Sequence, residues 1–103
     1  KNQLQITGPT KEVCSTDPLA QKWESFGWAV QEIDGNNIAA ITAAFDALPF
    51  EKGKPSVIIA NTVKGKGVSF MENQIKWHHG VPSEEQYHQA QNELDNVLQS
   101  LID

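Results

Sequence analysis

Val57-Ile58-Ile59-Ala60 is an unbroken apolar run inside the segment Ser56 to Thr62. A strand with one wet face alternates apolar and polar residues, so an unbroken run predicts a strand covered on both faces. Such strands lie in parallel sheets flanked by helices, and α/β is the expected class. The residues after the run are equally informative. Val63-Lys64-Gly65-Lys66-Gly67-Val68 is a basic turn punctuated by glycine, and Trp77-His78-His79 stands just before Gly80. In open α/β sheets, ligands bind at the carboxyl ends of the strands. Lysines, bare backbone and imidazoles at that end suit a phosphorylated ligand.

The other elements are read from local signals. Residues 1–6 are short and mixed, and read as the tail of a strand. Thr7-Gly8-Pro9-Thr10 is a loop signal, and residues 11–16 read as irregular. Asp17-Pro18 predicts a helix with Asp17 as N-cap and Pro18 at its first position, running to about Ser25 and stopping by Gly27. Trp28 to Ile33 alternates as a strand. Asp34-Gly35 is a turn, and Asn36 or Asn37 caps the next helix. There Ile38, Ile41, Phe45 and Leu48 share one apolar face. Pro49 to Pro55 is a loop. Ser83 with Gln86 predicts a capping box, and Glu84 and Glu85 suit the positive end of that last helix. Tyr87, Ala90, Leu94, Val97, Leu98 and Leu101 form its stripe, read as core or subunit contact.

The order is strand, helix, strand, helix, strand, long loop, helix. It predicts parallel strands joined by right-handed crossovers. Three strands at most make a narrow sheet, and two short helices cover little of it. The chain therefore reads as a piece of a larger sheet. It opens at Lys1, without an initiator methionine or a strand start signal, which fits a segment of a longer chain.

Composition agrees. At 103 residues the chain holds one small domain at most, residues 1–103. An apolar fraction of 39% is low for a self-sufficient α/β domain, so either the core is small or a partner supplies part of it. A net charge of −5 argues against nucleic acid and against anionic membranes, which both select basic surfaces. No apolar run approaches the roughly 20 residues that cross a bilayer, and Lys1-Asn2-Gln3-Leu4 has no signal-peptide character. Cys14 is the sole cysteine, which rules out an internal disulfide and is compatible with the cytoplasm.

Three groups could carry chemistry. In Lys64-Gly65-Lys66-Gly67, glycine lets main-chain N–H groups approach a phosphate and lysine supplies charge. The spacing is not that of a P-loop, and a solvated turn would use the same residues. In Trp77-His78-His79, an imidazole can move a proton near neutral pH or donate to an anion, although a histidine pair in a loop is more often surface decoration. Neither Cys14 nor His88 has metal-ligand spacing to the pair. Asn2 and Leu4 offer an amide oxygen and a main-chain carbonyl, hard donors suited to Mg²⁺, yet a turn or cap role would need nothing more. Trp23 and Phe26, three apart on a helix, read as core.

Taken in order, Lys22-Trp23-Glu24-Ser25-Phe26-Gly27-Trp28, Glu32-Ile33-Asp34-Gly35, Lys54-Pro55-Ser56, Thr62-Val63-Lys64-Gly65-Lys66-Gly67-Val68 and Trp77-His78 resemble the thiamine-diphosphate-binding domain of transketolases. The nearest likeness is to the bacterial type split into amino-terminal and carboxy-terminal subunits. The resemblance covers nearly the whole chain. It implies a parallel α/β cofactor domain with Mg²⁺ and the diphosphate at the strand carboxyl ends. The family's metal motif opens with Gly-Asp-Gly, absent here, and closes at an asparagine that Asn2 resembles. Leu4 would then give a carbonyl to the metal, and Lys64 would reach the diphosphate. Gly65, Gly67 and Ile6 would join Lys64 in binding the cofactor. The family's Trp-His-Gly histidine is His78 if anchored on Trp77 and His79 if anchored on Gly80.

The resemblance further implies ketol transfer between sugar phosphates. It implies a companion chain carrying the pyrimidine-binding domain with its activating glutamate, and a dimer of the complete assembly. Related readings are a 1-deoxyxylulose-5-phosphate synthase, a dehydrogenase component using the same cofactor, or a non-catalytic module docking through its last helix.

Overall fold

Residues 1–102 are described by the structure, a computed structural model. The chain divides into two units, Lys1–Thr62 and Val63–Asp103. In the first, the elements are β1 (Leu4–Gln5), β2 (Gly8–Pro9), α1 (Thr10–Val13), α2 (Leu19–Ser25), β3 (Ala29–Asp34), α3 (Ile38–Asp46) and β4 (Ser56–Asn61). The second holds a 3₁₀ turn at Ile75–His78 and α4 (Glu84–Ile102).

The parallel sheet is present, as the unbroken run at Val57–Ala60 required. β3 and β4 pair in parallel from Ala29 opposite Ser56 to Asp34 opposite Asn61. α3 lies in the crossover between them and packs on β3, as does α2. The fold class is therefore α/β. Asn37 caps α3, its side chain accepting the Ala40 N–H at 3.1 Å. The core is small. Among the described residues only Ala29, Ala44 and Ile59 are both apolar and fully buried. Ala44 is 0% exposed, and its small side chain allows α3 to lie close to the sheet.

Several local expectations are corrected. Residues 1–6 do not form a regular strand end. Leu4–Gln5 pairs with Gly8–Pro9 in a two-residue antiparallel hairpin, β1–β2. Lys1 alone joins the parallel ladder: its amino group donates to the Ala60 carbonyl at 2.7 Å and its carbonyl accepts the Thr62 N–H at 3.1 Å. That is one parallel rung beside Asn61. Residues 11–16 are partly helical, since α1 covers Thr10–Val13. Asp17 is not the N-cap of α2. The helix starts at Leu19 after Pro18, and the Asp17 carboxylate pairs with Lys1 Nζ at 2.5 Å. The lysine holds that carboxyl below its usual range, with further help from the Leu19 N–H.

The predicted apolar faces are also less buried than their pattern suggests. Ile38 and Phe45 are 74% and 62% exposed, and α3 instead buries the alanine side at Ala44. Phe26 is exposed, whereas Trp23 packs edge-on against Trp28 with centroids 4.9 Å apart.

In the second unit the capping box forms as predicted. The Ser83 N–H donates to Gln86 Oε1 at 3.0 Å, and the Gln86 N–H donates to Ser83 Oγ at 3.2 Å. The stripe of α4 stays open: Tyr87, Leu94, Val97, Leu98 and Leu101 are all exposed. No helix among the described residues is long and apolar enough to cross a membrane.

Candidate cofactor site

Parallel pairing sends the carboxyl ends of β3 and β4 to one edge. The Lys1 rung beside Asn61 delivers Asn2 to that same edge. Asn2 then folds on itself, and its Oδ1 accepts the Leu4 N–H at 3.0 Å. Gln3, between them, has φ +61°, a left-handed conformation that is uncommon for a residue with a side chain. Its carbonyl accepts the Thr10 N–H at 2.8 Å, which fixes the tight turn from the hairpin side.

Leu4 stands opposite Pro9, which has no N–H to give. In such a non-exchanging pair, both main-chain groups of Leu4 face away from β2. The Leu4 carbonyl therefore lies on the side where the Asn2 amide oxygen bonds its N–H. The Asn2 amide oxygen and the Leu4 carbonyl thus belong to one turn and are hard oxygen donors of the kind Mg²⁺ takes. An amide oxygen has two lone pairs, so the bond to Leu4 leaves one for a cation. Ile6 projects from the tip of the β1–β2 hairpin and is 64% exposed.

Gly35 belongs to the same edge. Its N–H donates to the Asn61 carbonyl at 2.7 Å, and a Cβ there would stand 2.6 Å from Thr62 Cγ2 and 2.7 Å from Ala60 Cβ. Only glycine lets the β3 exit cross so near the β4 exit. The other flank of β4 is bare along most of its length. It opens on a cavity of about 320 Å³ whose lining includes Asn2, Leu19, Trp23, Val57 and Ile58. This cavity runs along the strand edge.

The second unit carries the basic turn. Gly65 and Gly67 both have positive φ, +71° and +96°. A Cβ on Gly65 would stand 2.6 Å from the Met71 carbonyl oxygen. Gly65 is therefore glycine for the sake of the turn itself. The Gly67 N–H does not point into open space: it donates to Glu72 Oε1 at 3.1 Å, and Lys66 Nζ stands 3.4 Å from the same oxygen. These contacts hold the Glu72 carboxyl below its usual range, the Gly67 N–H most of all. The Lys64 carbonyl accepts the Asn73 N–H at 2.9 Å, closing the loop, and Lys64 Nζ forms no ion pair among the described residues.

Trp77 anchors the histidine segment. Its Nε1 donates to the Phe70 carbonyl at 3.0 Å, its ring lies 5.4 Å from that of Phe70, and Lys76 Nζ sits 5.2 Å over its face. A Cβ on Gly80 would stand 2.6 Å from Trp77 Cε3. The indole and Gly80 thus bracket His78 and His79, which are exposed with rings 4.8 Å apart at right angles.

Known proteins settle the family. The profile of the transketolase thiamine diphosphate binding domain matches residues 1–96. The chain belongs to this family. It is 43% identical over 101 residues to an apulose-4-phosphate transketolase subunit of Phocaeicola vulgatus, a match that covers 98% of this chain and 36% of that protein. It is 46% identical over 94 residues to the protein of the same name from Actinobacillus succinogenes, covering 91% and 34%. It is 44% identical over 94 residues to the 6-deoxy-6-sulfo-D-fructose transketolase subunit SqwG of a Clostridium species, again covering 91% and 34%. The chain spans about a third of the length of these relatives.

Within this transketolase segment, Asn2 and Leu4 meet on one turn, and Lys64, Gly65 and Gly67 share another. His78 and His79 are adjacent on the 3₁₀ turn and its exit. The sequence did not single out Glu72 or Glu93. Glu72 takes the Gly67 amide, and Glu93 accepts both the N–H and the hydroxyl of Ser69 at 2.6 Å. Their only trace in the sequence is a carboxylate near a donor-rich turn, which is too common to stand out.

Proposed function

We propose that this chain forms part of the cofactor domain of a transketolase that moves a two-carbon ketol unit between sugar phosphates, with thiamine diphosphate and Mg²⁺. The observation that carries the proposal is the Asn2–Leu4 turn. It sets two hard oxygens at the carboxyl edge of a parallel pair, in a chain of the thiamine diphosphate binding family. Mg²⁺ keeps several waters and needs few protein ligands beside phosphate oxygens, so two donors are a useful share of its shell.

Asn2 and Leu4 would hold the metal, and Lys64 would offset diphosphate charge with its ammonium group. Ile6 would give the cofactor an apolar contact. Gly65 and Gly67 shape the turn that carries Lys64, and an anion reaching the Gly67 N–H would have to displace Glu72. His78 or His79 would hold or release a proton at the substrate oxygen. Thiamine diphosphate, when bound, supplies the electron sink for cleavage and re-formation of the carbon–carbon bond.

The remaining metal ligands, the pyrimidine-binding domain and its activating glutamate would come from the rest of the protein and a companion chain. All three relatives are named as subunits, which supports a companion. A dimer of the complete assembly would follow. Relatives named for two different sugars match this segment equally well, so it serves the step they have in common rather than the choice of sugar. Their names favour ketol transfer over a synthase or dehydrogenase role with the same cofactor.

Lys64→Ala in the complete enzyme tests the assignment. Affinity for thiamine diphosphate should fall roughly tenfold or more, as for loss of a charge-assisted contact. Turnover at saturating cofactor should change far less. Unchanged affinity would remove Lys64 from the site.

A further inference from the structure

Within the second unit, carboxylates fasten the Lys64 turn. Glu93, in the middle of α4, grips one residue twice: Ser69 donates its N–H to Oε2 and its hydroxyl to Oε1, both at 2.6 Å. Gln89, one helical turn earlier, donates to Glu93 Oε1 at 2.8 Å and to Ser69 Oγ at 3.4 Å, which orients the carboxylate. The turn also touches α4 directly, since a Cβ on Gly67 would meet Leu94 Cδ2 at 3.3 Å. At its ends the loop is closed by the Lys64 carbonyl and the Asn73 N–H. Lys64 is therefore carried on a closed loop bolted to α4 at Ser69.

We propose that Glu93 is a positioning residue for Lys64, holding the turn on α4 through Ser69 so that the lysine is presented to a diphosphate. The inference rests on Lys64 as the diphosphate-binding lysine. Its geometric content is specific. A lysine side chain is long and mobile, so what the protein can fix is the main chain from which it starts. Each oxygen of Glu93 has its own donor on Ser69, and the charge of Glu93 is spent on the turn.

Charge alone makes the opposite forecast. Removing a nearby carboxylate should tighten the binding of an anion, whereas removing a positioning contact should weaken it. Cofactor affinity in the complete enzyme therefore decides the matter, measured with thiamine diphosphate in the presence of Mg²⁺. Glu93→Gln should raise the dissociation constant roughly three- to tenfold, the scale of a lost hydrogen bond to a charged group. Turnover at saturating cofactor should not move. In a Lys64→Ala background the effect of Glu93→Gln should vanish, because the group being positioned is gone.

Ser69→Ala deletes only the hydroxyl and should reproduce the weaker affinity, while Ser69→Thr should keep wild-type affinity. These two variants carry the test if Glu93→Gln fails to assemble. The positioning role is overturned if Glu93→Gln leaves affinity unchanged or tightens it while Lys64→Ala weakens it, or if the loss persists in the Lys64→Ala background. No change in Lys64→Ala itself removes the underlying reading, and the role of Glu93 with it.

Discussion

The two turns that carry candidate ligands are built on opposite principles. The Asn2–Leu4 turn is held by main chain and by an amide: the Lys1 rung on β4, the Gln3–Thr10 bond, and Asn2 Oδ1 on the Leu4 N–H. The Lys64 turn adds ionised side chains to its main-chain bonds, with Glu72 on Gly67 and Lys66, and Glu93 on Ser69. Both turns contain a residue with left-handed backbone, Gln3 in one and Gly65 in the other. One turn tolerates a side chain there, and the other has no room for one. The first turn is a rigid extension of the sheet, and the second is a clasp.

The largest effect should come from filling the clasp. A Cβ on Gly65 meets both the oxygen and the carbon of the Met71 carbonyl, at 2.6 and 2.8 Å, and φ is +71°. Main chain cannot rotate aside as a flexible side chain can. Gly65→Ala should cost about 2–3 kcal/mol in denaturant unfolding of the second unit, combining left-handed strain with a steric shift. Gly53, also left-handed at φ +85° but with nothing within 4 Å of a Cβ, is the internal control and should lose only about 1 kcal/mol as alanine. Equal losses at the two glycines would mean that the Met71 contact adds nothing.

Acid should separate the turns next. Glu72 is held below its ordinary value of 4.5, chiefly by the Gly67 N–H. Glu93 is held below the same value, chiefly by the Ser69 hydroxyl and then by its N–H. A carboxyl whose pKa falls on folding contributes stability above its unfolded value and loses it as pH drops through the depressed one. The clasp should therefore be intact at neutral pH and loosen below pH 4.5, whereas the Asn2 amide cannot respond. Amide exchange reads this directly: protection at Gly67 and Ser69 should fall on acidification while that at Leu4 persists. Parallel loss at all three would show a global acid transition instead of a local one.

Much of this was legible in the sequence where the cause is local. The capping box at Ser83 and Gln86 is a four-residue pattern, and both of its bonds form. The run Val57–Ala60 forms the parallel strand that its pattern predicts, yet only Ile59 is buried and its three neighbours are half-buried, so the expected cover on both faces is incomplete. Legibility stops where a residue's partner lies far along the chain or outside it. The Asp17 carboxylate takes Lys1 Nζ as its partner, a contact across 16 residues. Ser69 meets Glu93 across 24. The stripe of α4 has the period of a packed helix, yet Leu98 and Leu101 are 56% and 78% exposed. Periodicity shows that a face is apolar and leaves open what covers it. The glycines of the Lys64 turn read correctly as turn-formers. Which donors remained open did not, because Glu72 occupies the Gly67 amide from outside the motif.

The smallest expected effect comes from the other lysine of that motif. As a residue pattern Lys64 and Lys66 look alike, each followed by glycine, and only the family resemblance picks out Lys64. The structure makes them unequal. Lys66 is 56% exposed at its side chain and lies 3.4 Å from Glu72, which already bonds the Gly67 N–H. An exposed pair of this kind contributes little, and its loss leaves Glu72 with its stronger main-chain partner. Lys64 is less exposed, has no such carboxylate among the described residues, and its carbonyl closes the loop with Asn73. Lys66→Gln should therefore change thiamine diphosphate affinity by less than about twofold, against the roughly tenfold loss expected at Lys64. A loss at Lys66 as large as that at Lys64 would mean that the anion displaces Glu72 and recruits both lysines. The clasp would then open on binding, and the contrast between a fixed turn and a fastened one would become a contrast between a fixed turn and a moving one.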